Sequence, residues 1–118
     1  MVLIVDDHLD NGLLLARVLK TRGHAAMAVS SGQAGLSLLP SLEPDLVILD
    51  KCMPEMDGIE VLRRIRSDPK SHSTPVIMYS ADGNPEDVER ARSLGAQDYL
   101  VKGVTAWEDV LSTVARYA

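Results

Sequence analysis

Residues 46–50 read Leu46-Val47-Ile48-Leu49-Asp50, an unbroken apolar run that stops at a carboxylate. The pattern recurs twice: Val2-Leu3-Ile4-Val5 runs into Asp6-Asp7, and Tyr99-Leu100-Val101 runs into Lys102. A short apolar run without polar alternation suits a strand covered on both faces, as in a parallel sheet. If the three strands are neighbours, their carboxyl ends bring three carboxylates and one ammonium to one edge. Carboxylates that close repel and resist sharing a site without a cation. The arrangement therefore predicts a divalent metal, and the metal with the lysine predicts an anionic phosphoryl group.

Working outward, strand-like and helix-like segments alternate along the whole chain. Residues 10–22 carry Leu14, Leu15, Val18 and Leu19 at helical spacing, with Gly23 as a stop. Residues 25–29 form a weaker strand. Ser30-Ser31-Gly32-Gln33 matches a capping box and opens a short helix through Leu39, ended by Pro40. After the 45–49 strand, residues 58–66 place Val61, Leu62 and Ile65 on one helical face. Pro75 introduces a strand at 76–79, and Asn84-Pro85 reads as an N-cap with proline at the first helical position. Val88, Ala91 and Leu94 line that helix, which Gly95 ends. Thr105-Ala106-Trp107-Glu108 reads as a second capping box. Trp107, Val110, Leu111, Val114 and Ala115 then form an amphipathic face, with Trp107 expected to pack inward.

Such alternation with short connections gives an α/β fold, an open parallel sheet with helices on both faces. In doubly wound sheets ligands bind beyond the carboxyl ends of the strands, at the switch in strand order. The charged residues lie at those ends.

The chain has 118 residues, which fits one domain spanning 1–118 and can bury a core without disulfides. Aromatics are only 3% with no Phe, so aliphatic residues and Met must fill that core. The net charge of −5 and the absence of a basic cluster argue against nucleic-acid binding; Arg63-Arg64-Ile65-Arg66 is offset by acidic neighbours and reads as a solvated helix face. Cys52 is the only cysteine, which excludes an intrachain disulfide and a cysteine-based zinc site. No apolar run approaches a membrane span, and no signal-peptide n-region precedes the first strand, so the cytoplasm is the expected compartment.

Each charged residue alone has an ordinary reading: an Asp pair capping a helix, an Asp in a turn, a solvated lysine. Together they are harder to explain without a shared ligand. Mg²⁺ suits oxygen donors and takes one or two carboxylates plus phosphate oxygens. An Asp carboxylate can itself accept a phosphoryl group. Ser80, at the end of the 76–79 strand, offers a hydroxyl to the same edge, although a turn serine is its ordinary reading.

Asp6-Asp7, the stretch from Leu46 through Asp50 to Pro54 with Gly58 following, Tyr79-Ser80-Ala81, Gly95-Ala96-Gln97-Asp98-Tyr99 and Lys102 together resemble the receiver domain of two-component response regulators, over the entire chain. The resemblance implies a flavodoxin-like five-stranded sheet in the order 2-1-3-4-5. It implies Asp50 as phosphoacceptor, Asp6 and Asp7 as the Mg²⁺-holding pair, and the backbone carbonyl of Cys52 as a further metal ligand. Lys102 would contact the phosphoryl oxygen, Ser80 would be the switch hydroxyl, and Tyr99 the aromatic switch. A sensor histidine kinase or histidine phosphotransfer protein would donate the phosphoryl group. The face built by helix 85–94, strand 99–101 and helix 106–116 would then change its affinity for a downstream output protein or domain. Such a domain phosphorylates itself and is not an enzyme in the usual sense.

Two residues depart from the family pattern. Gly103 stands where receivers usually carry proline after the lysine, which predicts a trans Lys102–Gly103 bond or a reshaped loop. Lys51 replaces the usual apolar residue; it reads either as an exposed loop lysine or as an extra cation beside Asp50. Cys52 and Asp82 occupy positions that help set phosphoryl lifetime in the family. The rival readings are a degenerate receiver acting as an interaction module, an Asp-based metal-dependent phosphatase, and a flavin mononucleotide binder.

Overall fold

The computed structural model describes residues 1–118. Five strands alternate with five helices: β1 (Val2–Val5), α1 (Leu9–Thr21), β2 (Ala26–Val29), α2 (Gly32–Leu42), β3 (Leu46–Leu49), α3 (Gly58–Ser67), β4 (Val76–Ser80), α4 (Pro85–Ser93), β5 (Asp98–Val101) and α5 (Trp107–Tyr117). All pairings are parallel and the order is β2-β1-β3-β4-β5, as the resemblance implied. The chain leaves β1 for β2 on one side and returns to β3 on the other. The switch in strand order therefore lies between β1 and β3.

Strand alternation builds two separate cores. Val2, Ile4, Leu46, Ile48 and Ile77 face one layer with Leu15 and Leu19 of α1 and Val110, Leu111 and Val114 of α5. Leu3, Val5, Val47, Leu49, Val76 and Met78 face the other, with Leu39 of α2, Ile59, Val61, Leu62 and Ile65 of α3, and Ala91 of α4. β1 and β3 are buried at every position, which is why their sequences lack polar alternation. No helix is long and apolar enough to cross a membrane.

Local details differ from the expectations in four places. The cap of α2 is Ser31, whose hydroxyl accepts from the Ala34 amide, not the box begun at Ser30. Pro40 lies inside α2 and does not end it. A proline forfeits its own N–H, but the Glu43 amide still reaches the Leu39 carbonyl, and Glu43 closes the helix at φ 46°. At α5 the cap is Ala106 without a side-chain bond, because Thr105 turns its hydroxyl back to accept from the Val101 amide. Trp107 does not pack inward: it is 45% exposed. It is the first residue of α5 and lines a cavity at the strand ends together with Leu14, which is 52% exposed. Other signals hold. Asn84 caps α4 with Pro85 in its first turn, and Gly23 and Gly95 each take φ 89°.

Candidate functional site

The register brings the charged strand ends together. Val5 pairs with Leu49, so Asp6 and Asp50 leave adjacent strands at the same level. Their amides continue the ladder: Asp6 N donates to the Val29 carbonyl at 3.1 Å, and Asp50 N to the Val5 carbonyl at 2.9 Å. Ser80 pairs with Val101, and the Lys102 amide donates to the Ser80 carbonyl at 2.9 Å. Four strand ends are thus held by backbone bonds before any side chain contributes.

Lys102 bridges the two buried carboxylates. Its Nζ lies 2.6 Å from Asp6 Oδ2 and 3.1 Å from Asp50 Oδ2. The second oxygen of each carboxylate accepts a backbone amide two residues on: His8 N at 2.9 Å for Asp6, Cys52 N at 3.1 Å for Asp50. Burial acts to lower the Lys102 pKa, but the hydrogen bonds and charges of Asp6 and Asp50 outweigh it and the net shift is upward. The ammonium also sits 5.6 Å from the ring centroid of Tyr79, within cation–π range. Lys102–Gly103 is trans, as expected, since the chain contains no cis peptide bond. Gly103 adopts φ 79°, a conformation glycine takes at no steric cost.

Asp7 completes the acidic group. Donor atoms of Asp6, Asp7, His8 and Asp50 all lie within 4.8 Å of one another. Asp7 Oδ1 is buried and accepts no hydrogen bond, although His8 Nδ1 stands 3.2 Å away. A buried carboxylate oxygen without a partner is costly unless something other than the protein's own donors satisfies it. Oxygen-rich donors around such an orphan fit a hard divalent cation.

Ser80 is fully buried; its hydroxyl lies 3.9 Å from the Cys52 sulfur and 3.4 Å from the Asp82 amide. The Tyr99 hydroxyl donates to the Asp82 carbonyl, and burial raises the phenol's pKa. Lys51 fits neither sequence reading. It is partly buried and paired with two other carboxylates, with Nζ 3.0 Å from Asp82 Oδ2 and 2.7 Å from Asp87 Oδ2. Those two carboxylates, Asp87 foremost, raise its pKa further above the ordinary lysine value.

Sequence reasoning placed Asp6, Asp7, Asp50, Lys102 and Ser80 on this edge, and the fold brings all of them there. It missed His8, Tyr79 and Asp87. His8 was signalled by its adjacency to the Asp pair, and Tyr79 by preceding Ser80 in a strand whose alternate residues face opposite layers. Asp87 had no signal beyond its place in the first turn of α4.

Residues 2–114 match the family model described as the response regulator receiver domain. A probable cyclic di-GMP phosphodiesterase of Vibrio cholerae is 39% identical over 104 residues, covering 88% of this chain but 23% of that protein. The chain thus spans under a quarter of that relative. The two-component response regulator ORR3 of Oryza sativa subsp. indica is 33% identical over 105 residues, 87% of this chain and 79% of its own length. Among solved structures, the chemotaxis protein CheY4 of Vibrio cholerae superposes with a TM-score of 0.90 at 27% identity, covering 99% of this chain and 97% of that one. Neither a phosphatase nor a flavin binder is favoured by these likenesses. Fold, strand-end acids and sequence agree: the chain belongs to the response regulator receiver domain family of two-component systems.

Proposed function

We propose that Asp50 accepts a phosphoryl group from phosphohistidine and that this charge change drives a signalling switch. The observation that carries the reading is the Lys102 ammonium bridging Asp6 and Asp50 beside the unsatisfied Asp7 oxygen. Receiver domains use a divalent metal at such an acidic pocket, and they interact with histidine kinases and output domains. For this chain the metal would be Mg²⁺, and Asp6, Asp7, Asp50 and the Cys52 carbonyl would hold it. When bound, Mg²⁺ supplies charge neutralisation to the phosphoryl oxygens.

The chain's own residues do the rest. The Cys52 amide on Asp50 Oδ1 fixes the carboxylate plane, and Lys102 holds Oδ2. An Asp50 oxygen attacks phosphorus, the O–P bond forms as the P–N bond breaks, and the imidazole leaves carrying a proton. Lys102 balances the charge on the transferring group, which is the main task of a protein in phosphoryl transfer. Ser80 then turns its buried hydroxyl to the new phosphoryl oxygens and Tyr99 follows. The surface of α4, β5 and α5 changes its affinity for a downstream output protein. The domain promotes its own phosphorylation and dephosphorylation and turns over no separate substrate.

Incubation with acetyl phosphate and Mg²⁺, read by intact mass, tests this. Wild type gains one phosphoryl mass and Asp50→Asn gains none. No gain on wild type would leave a phosphorylation-independent interaction module.

A further inference from the structure

His8 shares donor space with Asp6, Asp7 and Asp50 but has no part in the phosphoryl chemistry. It stands at the N-cap of α1, where a polar side chain ordinarily accepts an amide of the first turn. Its side chain makes no such bond. The backbone does the local work instead, because the His8 amide donates to Asp6 Oδ1 at 2.9 Å. The imidazole is thus left without a structural duty, 70% exposed, with Nδ1 3.2 Å from Asp7 Oδ1 and 3.8 Å from Asp6 Oδ1.

Two observations give that ring a task. Nδ1 and Asp7 Oδ1 are neighbours that do not bond each other: the buried oxygen has no hydrogen-bond partner. Two lone-pair donors side by side and unpaired suit a cation that both can reach. The spacing also fits one. A divalent ion with bonds of about 2.1 Å holds donors about 3.0 Å apart on adjacent corners and about 4.2 Å apart on opposite corners of an octahedron. The His8–Asp7 separation of 3.2 Å is close to an adjacent pair, and one donor atom from each of the four residues lies within 4.8 Å of the others.

We propose that His8 supplies a nitrogen donor to the divalent cation of the Asp6–Asp7–Asp50 pocket and tilts that pocket from Mg²⁺ towards transition ions that accept imidazole, such as Ni²⁺. This rests on the reading that the pocket holds a divalent metal. Carboxylates alone make a hard oxygen site, which suits Mg²⁺. A neutral imidazole adds no charge, so the general attraction for divalent ions is unchanged. It adds a donor that Ni²⁺ binds well and Mg²⁺ does not favour. The discrimination between ions therefore changes more than the affinity for Mg²⁺ does.

Calorimetric titration of metal-stripped protein with Ni²⁺ and with Mg²⁺ tests this. Wild type should bind both. His8→Ala should lose at least about tenfold for Ni²⁺, since even an outer-shell partner contributes that much, and less than about twofold for Mg²⁺. His24 and His72 are present in both proteins, so any Ni²⁺ they hold is common to the two. Electron spin echo spectra of the Mn²⁺-loaded protein read the bond directly: wild type should show nitrogen modulation from a bound imidazole, and His8→Ala should not. Unchanged Ni²⁺ affinity in His8→Ala overturns the proposal, as does a wild type without the nitrogen modulation. An equal loss for both ions also overturns it, because His8 would then act only by shaping the loop around Asp6. If His8→Ala does not fold, His8→Gln keeps a polar side chain without the imidazole and must show the same two changes. A wild type that binds neither ion sinks the metal reading of the pocket itself, whereas binding that ignores His8 sinks this inference alone.

Discussion

Helices α3 and α4 lie on the same face of the sheet and are held there by different forces. α3 buries Ile59, Val61, Leu62 and Ile65, and Gly58 at its start meets the Asp50 backbone. α4 buries Ala91, half-buries Val88 and Leu94, and anchors its first turn through the Lys51–Asp87 ion pair. Apolar burial is short-ranged and indifferent to charge nearby. An ion pair responds to any charge placed beside it. The helix that follows the candidate phosphoacceptor is therefore rigidly built, while the helix across the site is attached by something a phosphoryl group can influence. Local stability of this uneven kind is what lets one segment open without global unfolding.

The comparison breaks if truncations on the two helices cost the same. Leu62→Ala on α3 should lose about 2–5 kcal/mol in urea unfolding. Val88→Ala on α4 should lose less than about 1.5 kcal/mol in the same measurement, because half-buried methyls leave no sealed cavity. Gly58→Ala is expected next in size. A Cβ there would stand 2.2 Å from the Asp50 carbonyl oxygen and 2.8 Å from Lys51 Cα, both backbone atoms that cannot swing aside. It should cost about 1–3 kcal/mol and reduce phosphorylation of Asp50, read by intact mass.

The helix caps sharpen the contrast. Asp57 caps α3 by accepting from the Glu60 amide at 2.9 Å, and Asn84 caps α4 by accepting from the Glu86 amide at 2.9 Å. Asp57→Ala should lower global stability by about 1 kcal/mol. Asn84→Ala should change global stability less and show mainly as faster amide exchange confined to residues 82–93. The smallest effect is acidification. The Lys51 hydrogen bond and then the Asn84 amide hold the Asp82 carboxyl below the ordinary carboxylate range. A depressed folded pKa gives stability that is present above the unfolded value and lost as pH falls through the folded one. Protection at 82–93 in wild type should fall as pH drops below about 4, and Lys51→Met should show a smaller drop.

How much of this could be read from the chain depended on whether the cause was local. β1 and β3 were legible because a strand buried on both faces must be apolar throughout, and Val2–Val5 and Leu46–Leu49 are. The Asn84-Pro85 start of α4 was legible because cap and proline act within one turn. Asp6, Asp7, Asp50 and Lys102 were legible through their position after strands; the strand order that joins them came from family resemblance. Lys51 and Trp107 were not legible. Where Lys51 points is decided by Asp82 and Asp87, which lie 31 and 36 residues further on. Trp107 continues a helical apolar pattern, but as the first residue of α5 it lines the cavity at the strand ends with Leu14, Asp6 and Lys102, and periodicity does not report that. Thr105 misled for a related reason: its hydroxyl had a choice of amides, and Val101 was in reach.

At the opposite edge of the molecule, Arg66 donates to the Thr74 carbonyl at 2.7 Å, the Gly95 carbonyl at 2.8 Å and Gln97 Oε1 at 3.3 Å. The same Gln97 oxygen accepts from the Val76 amide at 2.7 Å. That bolts the far end of α4 to the start of β4 by three chain segments. With one end bolted and the other clipped by Lys51, α4 is a lever with its fulcrum near Gly95. Its nine residues give an arm of about 13 Å. A tilt of about 10° about that fulcrum would carry the clipped end roughly 2 Å, while the bolted end stays in place. Such a tilt would move the surface at the start of α4 without any part of the sheet having to move.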